Sequence, residues 1–122
     1  MTQENKKFIL SQKYSNVDQR RKNARIPVEI RGSFVFMDAS SKISDLCLVN
    51  SLSTGGLAIE ASSVLSIGDV ITVTFILEDH IISEVCKITR IHGKEVGCRF
   101  ISPVPQNVQF IGSFIYKKLF ST

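Results

Sequence analysis

The stretch GDVITVTFILEDHIISEVCKITRIHGKEVGCRF, residues 68–100, decides the fold. It opens with Gly68-Asp69 and a run rich in β-branched residues, which favour strands. Short polar turns interrupt the apolar pattern twice, and the second of them, His92-Gly93-Lys94, is typical of a tight hairpin. The pattern predicts three consecutive strands, at about 70–77, 81–91 and 95–101.

The segment upstream of this stretch has the same character. Apolar and polar residues alternate from Pro27 onward, as in a strand with one solvated face. The apolar members of this pattern are Val28, Ile30, Phe34 and Phe36. Further strands are predicted at about 43–50 and 57–61. Six or seven short strands without helical interruption indicate an all-β domain, a small six-stranded antiparallel β-barrel.

The pattern changes near the C-terminus, where Pro103 and Pro105 end the strands. The residues that follow are apolar at helical spacing, with two phenylalanines widening the stripe and two lysines in the last turns. The stripe consists of Val108, Phe110, Ile111, Phe114, Ile115 and Leu119. We therefore expect one C-terminal α-helix against the barrel, on a surface that also allows a homodimer.

A chain of 122 residues suits one domain with one core. Residues 1–19 are polar with little periodicity, and we expect them to form a flexible N-terminal arm before a barrel domain at 20–122. Residues 1–31 hold eight of the 15 basic residues and only three of the 11 acidic residues. The positive charge is therefore concentrated where it can attract an anion.

Several classes of protein find little support in the sequence. No apolar run is long enough for a transmembrane helix, and no signal-peptide pattern is present. Cys47, Cys86 and Cys98 are widely spaced in apolar runs, which indicates free buried thiols in a cytoplasmic protein without membrane insertion. No metal site, cofactor or catalytic residue is expected, because no CxxC pair exists and His80 and His92 have no nucleophile partner.

Two short segments carry the candidate chemistry. Arg20-Arg21-Lys22-Asn23-Ala24-Arg25 places four cations directly before the first strand. Ser51-Leu52-Ser53-Thr54-Gly55-Gly56 follows about 25 residues later as a turn of small residues. An arginine fork can bind phosphates and the acceptor edge of guanine. We expect the Ser/Gly turn to leave hydroxyls and backbone donors open to a planar ligand.

These segments resemble the signature of the PilZ domain family. Its RxxxR motif is matched by Arg21–Arg25, with Arg20 in front. Its (D/N)xSxxG motif is matched at Ser53 and Gly56, but Ser51 replaces the Asp or Asn. Val96-Gly97-Cys98-Arg99-Phe100 and the C-terminal helix are also similar to the family. The resemblance covers roughly residues 20–120.

The resemblance implies binding of cyclic di-GMP, a bacterial second messenger, by a non-enzymatic receptor that changes conformation and regulates an unidentified output protein. The implied outputs are motility, envelope or biofilm functions. The ligand-binding residues would be Arg20, Arg21, Arg25, Ser51, Ser53, Gly55 and Gly56. The arginines would grip phosphates and guanine edges, and the glycines would let a base lie against the strand.

Ser51 is the departure from this pattern. A hydroxyl accepts from guanine N–H groups less strongly than an amide or carboxylate, at a cost on the order of 1 kcal/mol. Asn50 is adjacent, but strict alternation along a strand puts its side chain on the opposite face. The alternative is a degenerate PilZ domain that acts as a nucleotide-independent protein-interaction module.

A third hypothesis, a small barrel that binds RNA or single-stranded DNA, is suggested by the pI of about 9.1. It is disfavoured because the charge is confined to one arm. The phenylalanines also fit the core better than base-stacking positions.

Overall fold

The computed structural model describes residues 24–37 and 44–120. Six strands precede one helix in this part of the chain. They are β1 (Ile26–Phe36), β2 (Asp45–Leu52), β3 (Gly56–Glu60), β4 (Val70–Leu77), β5 (His80–His92), β6 (Glu95–Phe100) and α1 (Pro105–Phe120). The predicted arm, residues 1–19, lies outside the described residues.

The strands form a closed barrel in the order β1-β2-β3-β6-β5-β4. Every neighbouring pair is antiparallel, and β4 completes the ring by pairing with β1. The predicted fold class, a six-stranded antiparallel β-barrel with one C-terminal helix, is therefore confirmed.

The interior of the barrel follows from the alternation of side chains along each strand. In β4, Ile71, Val73 and Phe75 point inward and are at most 2% exposed, whereas the residues between them face outward. The helix contributes Ile111, with Phe114 and Ile115, to the same core. The predicted apolar stripe of the helix is thus its barrel-facing side.

The three cysteines lie in this core as free, buried thiols. Burial raises the pKa of Cys47 to about 11 and that of Cys98 to about 12, because a thiolate loses its hydration there. Burial also raises the pKa of Cys86, further than that of the other two. These thiols are packing groups, since only the thiolate is a nucleophile.

A buried carboxylate fixes the start of the helix. Glu84 of β5 is 3% exposed. Its Oε2 accepts hydrogen bonds from the backbone N–H of Val104 at 3.0 Å and from Nδ2 of Asn107 at 2.7 Å. An anion at a helix N-terminus is also favoured by the helix dipole. Glu84 therefore ties α1 to the barrel wall.

The regularity of the pairing differs around the ring. The β1–β4, β4–β5 and β3–β6 ladders run without a shift. Register shifts occur between Pro27 and Ile30 in the β1–β2 ladder, between Val49 and Ser51 in the β2–β3 ladder, and between Ile88 and Arg90 in the β5–β6 ladder. Such irregularities bend a strand and change the direction of a side chain.

Two negative findings apply to the described part of the chain. Among residues 24–37 and 44–120, no helix is long and apolar enough to cross a membrane. Within the same ranges, no cluster of three or more His, Cys, Asp or Glu side chains has the arrangement that a metal ion needs.

Candidate functional site

The turn between β2 and β3 is built around the hydroxyl of Ser53, which is 3% exposed. Its Oγ accepts hydrogen bonds from the backbone N–H groups of Gly55 at 3.2 Å and Gly56 at 3.1 Å, and donates to the Gly56 carbonyl at 3.1 Å. The backbone N–H of Ser53 donates to the same carbonyl at 2.9 Å. Ser53 thus uses its donor and both its lone pairs within the turn.

This geometry corrects one expectation from the sequence. The two glycine N–H groups are not open to a ligand, because both already donate to Ser53 Oγ. The hydroxyl of Ser53 is likewise engaged and buried. What the turn offers to a ligand is its shape, fixed by these bonds, and the small size of its glycines.

Gly56 is required by a close approach of two strands. A Cβ at this position would lie 2.2 Å from the carbonyl oxygen of Cys98, a separation that side-chain carbons do not reach. Gly55 is held to the same strand, because its carbonyl accepts a hydrogen bond from Phe100 N–H at 3.0 Å. The turn is therefore clamped onto β6.

Arg25, the last residue of the basic lead-in (residues 20–25), lies at the same end of the barrel as this turn. Arg25 is exposed and precedes β1 directly, while Arg20 and Arg21 lie outside the described residues. The first residues of β1 pair with the end of β2, Ile26 with Leu52 and Pro27 with Ser51. Arg25 therefore lies near the Ser53 turn, which directly follows Leu52.

Ser51 belongs to β2 and not to the turn, in contrast to the sequence prediction. It continues the strand because it pairs with Pro27 on one side and with Ala58 on the other. Its side chain is on the outer face, since the next residue, Leu52, is fully buried in the core. The turn proper consists of Ser53, Thr54 and Gly55.

Asn50 lies at a break in the alternation. Its neighbours in the core are Val49 and Leu52, both 0% exposed, so two residues instead of one separate consecutive inward positions. The register shift in the β2–β3 ladder puts Asn50 on the same face of β2 as Ser51. The expectation that Asn50 faces the side opposite to Ser51 rests on strict alternation, which the β2–β3 ladder does not keep here.

The amide of Asn50 has a further distinctive property. Its Oδ1 is buried and, within the part of the chain that the structure describes, has no hydrogen-bond partner. A buried acceptor without a donor is costly, and a native structure usually has a reason for one. Because this oxygen is shielded from solvent, a ligand N–H can reach it only if neighbouring groups move.

Small residues continue this outer face across the sheet. Ser51 pairs with Ala58 of β3, and Ala58 pairs with Gly97 of β6. We call Ser51, Ala58 and Gly97 the small-residue row. None of them has a side chain larger than a hydroxymethyl group. Ser51 is half-buried, whereas Ala58 and Gly97 are buried.

The turn lies close to the C-terminal helix. A Cβ at Gly112 of α1 would lie 3.5 Å from Cγ2 of Thr54, which is ordinary van der Waals distance. An alanine at position 112 would therefore fit and would contact the turn.

Comparison with known proteins identifies the family of this chain. The family model of the PilZ domain matches residues 19–117. The chain belongs to the PilZ domain family. The PilZ family consists of non-enzymatic effector domains for cyclic di-GMP. No curated protein sequence matches the chain.

Solved PilZ structures share the fold of this PilZ domain. The PilZ domain of CeSA, from a cellulose-synthesizing bacterium, has a TM-score of 0.60 and 18% identity, over 78% of this chain and 97% of that one. The PilZ domain of Escherichia coli YcgR with cyclic di-GMP has a TM-score of 0.64 and 16% identity, over 81% and 91%. At such identities the likeness is one of fold.

The inhibitor of motility MotI/DgrA from Bacillus subtilis is similar to this chain with a TM-score of 0.71 and 16% identity. The match covers 84% of this chain but 53% of MotI. This PilZ domain therefore corresponds to about half of that protein.

Proposed function

We propose that this PilZ domain is a non-enzymatic receptor for cyclic di-GMP, which binds through its basic lead-in and the Ser51–Gly56 surface and thereby regulates an output protein. One observation carries the proposal. The β1–β2 pairing puts Ile26, the residue after Arg25, opposite Leu52, so Arg25 and the Ser53 turn lie at the same end of the barrel.

The chemistry of that corner suits the ligand. Cyclic di-GMP has two phosphates and two guanine bases, and Arg20, Arg21 and Arg25 supply forked donors for both kinds of group. Gly55 adds no side-chain bulk where a base could approach, whereas the space beside Gly56 is filled by the Cys98 carbonyl of β6. In this proposal Ser53 acts by holding the turn, because its hydroxyl is occupied there.

The proposed conformational change is an ordering of the lead-in against the barrel when the nucleotide binds, a common switching device. The proximity of Thr54 to Gly112 supports transmission of this change to α1. The output protein would then recognise the rearranged surface.

Calorimetric titration with cyclic di-GMP tests the proposal. We expect affinity in the micromolar range or better, and its loss in Arg21→Ala and Arg25→Ala, because each removes charge-assisted hydrogen bonds. The matched control is Arg31→Ala, an exposed arginine of β1 that pairs with Leu48 instead of Ser51. Absence of heat and of a thermal shift at high ligand would refute the proposal.

A second titration asks which residue of β2 reads a guanine. If Ser51 does, Ser51→Asn should tighten binding, on the order of fivefold for about 1 kcal/mol. If the unpaired oxygen of Asn50 does, Asn50→Ala should weaken binding more than Ser51→Ala. Equal affinities in all these variants would show that neither side chain contacts the base.

The competing function is a PilZ domain that docks on its partner without nucleotide. Ser51, in place of Asp or Asn, favours it, as does the engagement of Ser53 within the turn. Pull-down of the partner with equal yield in the presence and absence of cyclic di-GMP would support this alternative.

A further inference from the structure

The side chain of Arg90 leaves the inward series of β5. Ile82, Glu84, Cys86 and Ile88 are buried at every second position, and strict alternation would put the next such position, Arg90, inside as well. A guanidinium without a partner in an apolar interior is very costly. The register shift between Ile88 and Arg90 removes this cost, because it turns Arg90 to the outer face, where the residue is exposed.

On the outer face, Arg90 is the continuation of the small-residue row. Arg90 pairs with Gly97, the β6 member of the row. A Cβ at Gly97 would lie 3.1 Å from Nη2 and 3.2 Å from Nε of Arg90, so the guanidinium group extends across the glycine. Gly97 makes room for this arrangement.

The row thus has a cationic end on β5 and a cationic approach on β1. Its sequence across the sheet is Pro27, Ser51, Ala58, Gly97 and Arg90. Three inter-strand steps separate Ser51 from Arg90, which is roughly 14 Å between backbones. Arg25 precedes the row at Pro27. The row therefore lies between two exposed arginines, both of which can donate hydrogen bonds to an anionic ligand.

Arg90 is available for such a ligand. Its Nη2 lies 3.6 Å from Oε1 of Glu95, in a pair whose side chains are 49% and 42% exposed. An exposed ion pair of this length is weak and is easily exchanged for another anion. A phosphate group above the row would compete with Glu95 for the same guanidinium.

We propose that Arg90 is a nucleotide-binding residue of this domain, which closes the site from β5 and binds a phosphate or the O6/N7 edge of a guanine. The inference rests on the proposed function, because it adds a residue to the same site. Glu95 holds Arg90 in the unliganded protein and gives it up when the nucleotide arrives.

Calorimetric titration with cyclic di-GMP tests the inference on the wild-type protein and three variants, Arg90→Ala, Arg90→Lys and Arg31→Ala. We expect Arg90→Ala to bind about tenfold more weakly than the wild type, as for the loss of one charge-assisted contact at a partly exposed site. Arg90→Lys should recover only part of the affinity, since lysine keeps the charge without the fork. Arg31→Ala, the matched surface arginine, should stay within about twofold of the wild type.

The outcomes separate the two proposals. Loss of binding in Arg25→Ala with Arg90→Ala equal to Arg31→Ala would overturn the role of Arg90 alone. No binding by the wild-type protein would overturn the proposed function and the role of Arg90 together. Circular dichroism and thermal melting of each variant show whether the fold is intact.

The substitution Glu95→Gln should change the affinity for the nucleotide in the opposite direction. Release of Arg90 should tighten binding, by up to about threefold for a weak exposed pair. In the Arg90→Ala background, Glu95→Gln should not change the affinity, because the guanidinium for which Glu95 and the ligand compete is gone. An equal gain in both backgrounds would contradict a direct contact of Arg90 with the ligand.

A direct readout comes from the side-chain Nε–Hε resonance of Arg90 in NMR spectra. We expect this signal to shift on addition of cyclic di-GMP to the wild-type protein, together with the backbone signals of Gly97. An unchanged Arg90 side-chain signal at saturating nucleotide would overturn the inference.

Discussion

The two sides of the barrel differ in how strictly they keep the β pattern. On the β4 side, the ladders to β1 and β5 are unbroken and the inward residues of β4 are apolar without exception. On the β2 side, the ladders to β1 and β3 both contain a shift, and the β5–β6 ladder adds another. The candidate site lies on the irregular side.

The difference between the regular wall, around β4, and the irregular wall, around β2, concerns the outer faces and not the core. Val49 and Leu52 of the irregular wall are as fully buried as Ile71 and Val73 of the regular wall. The register shifts instead change which residues lie on the outer face. Substitutions on the outer face of the irregular wall should therefore change ligand binding more than stability.

The largest effect on stability is expected in the regular wall. Ile71→Ala removes a fully buried side chain and should lower the free energy of unfolding by about 2–5 kcal/mol, because the cavity cannot close. Thr72→Ala, on the outer face of the same strand, should stay within about 0.5 kcal/mol of the wild type. Urea denaturation measures both. Similar losses for the two would contradict the assigned orientation of β4.

The regular wall is also the part that the sequence predicts well. A β-branched run such as Val70–Leu77 has one strand register that buries its apolar face, so the bounds from sequence and structure agree. The bulges have no such signal of their own. Strict alternation predicts opposite faces for Asn50 and Ser51, which the shift in the β2–β3 ladder overturns. The small residues of Ser51–Gly56 predict a turn from Ser51 onward, whereas Ser51 pairs with Pro27 and Ala58 as part of β2.

The outward position of Arg90 does not follow from strict alternation either, although the sequence contains a clue. An arginine at a position where period-2 alternation requires a buried residue conflicts with the cost of burying charge. The conflict is resolved by a bulge, and bulges are frequent near binding sites. The predicted turn, Ser51–Gly56, is too long at both ends, because Ser51 belongs to β2 and Gly56 to β3. Its internal hydrogen bonds depend on the folded backbone and are not predicted by the sequence.

The next largest effect is expected at the clamp between the turn and β6. Gly56→Ala should cost about 1–3 kcal/mol, because its Cβ would collide with the Cys98 carbonyl and the backbone must shift. Gly97→Ala is the matched control. Its Cβ would meet the flexible Arg90 side chain, so stability should change little while nucleotide affinity falls. The reverse ranking in urea melts would contradict this account.

A smaller loss is expected from Ser53→Ala. The substitution leaves the N–H groups of Gly55 and Gly56 without their acceptor, at a cost of about 1–2 kcal/mol in stability. Affinity for cyclic di-GMP should also fall, because the turn loses its shape. Ser51→Ala, on the outer face, should leave stability nearly unchanged. A stable Ser53→Ala protein would show that water replaces the hydroxyl.

The smallest effect at neutral pH concerns the thiols. Burial raises the pKa of Cys98 from 9.0 to about 12. Between these two pH values the thiol stays protonated in the folded state but is ionised in the unfolded state. Stability should therefore be constant below about pH 8 and fall as pH rises from about 9 to 12. Chemical denaturation at several pH values measures this, with Cys98→Ala expected to show a shallower decline. A steeper decline in that variant would rule out the thiol as the cause.

The closed ring of strands has a consequence for partner recognition. Within the described residues, each strand from β1 to β6 pairs with two neighbours, so the unpaired strand segments to which an extended peptide could add are short, such as residues 26–31 of β1 on the side away from β2. An output protein that docks elsewhere on the barrel must recognise side chains. Its specificity can then be altered by single surface substitutions while the backbone ladder stays intact.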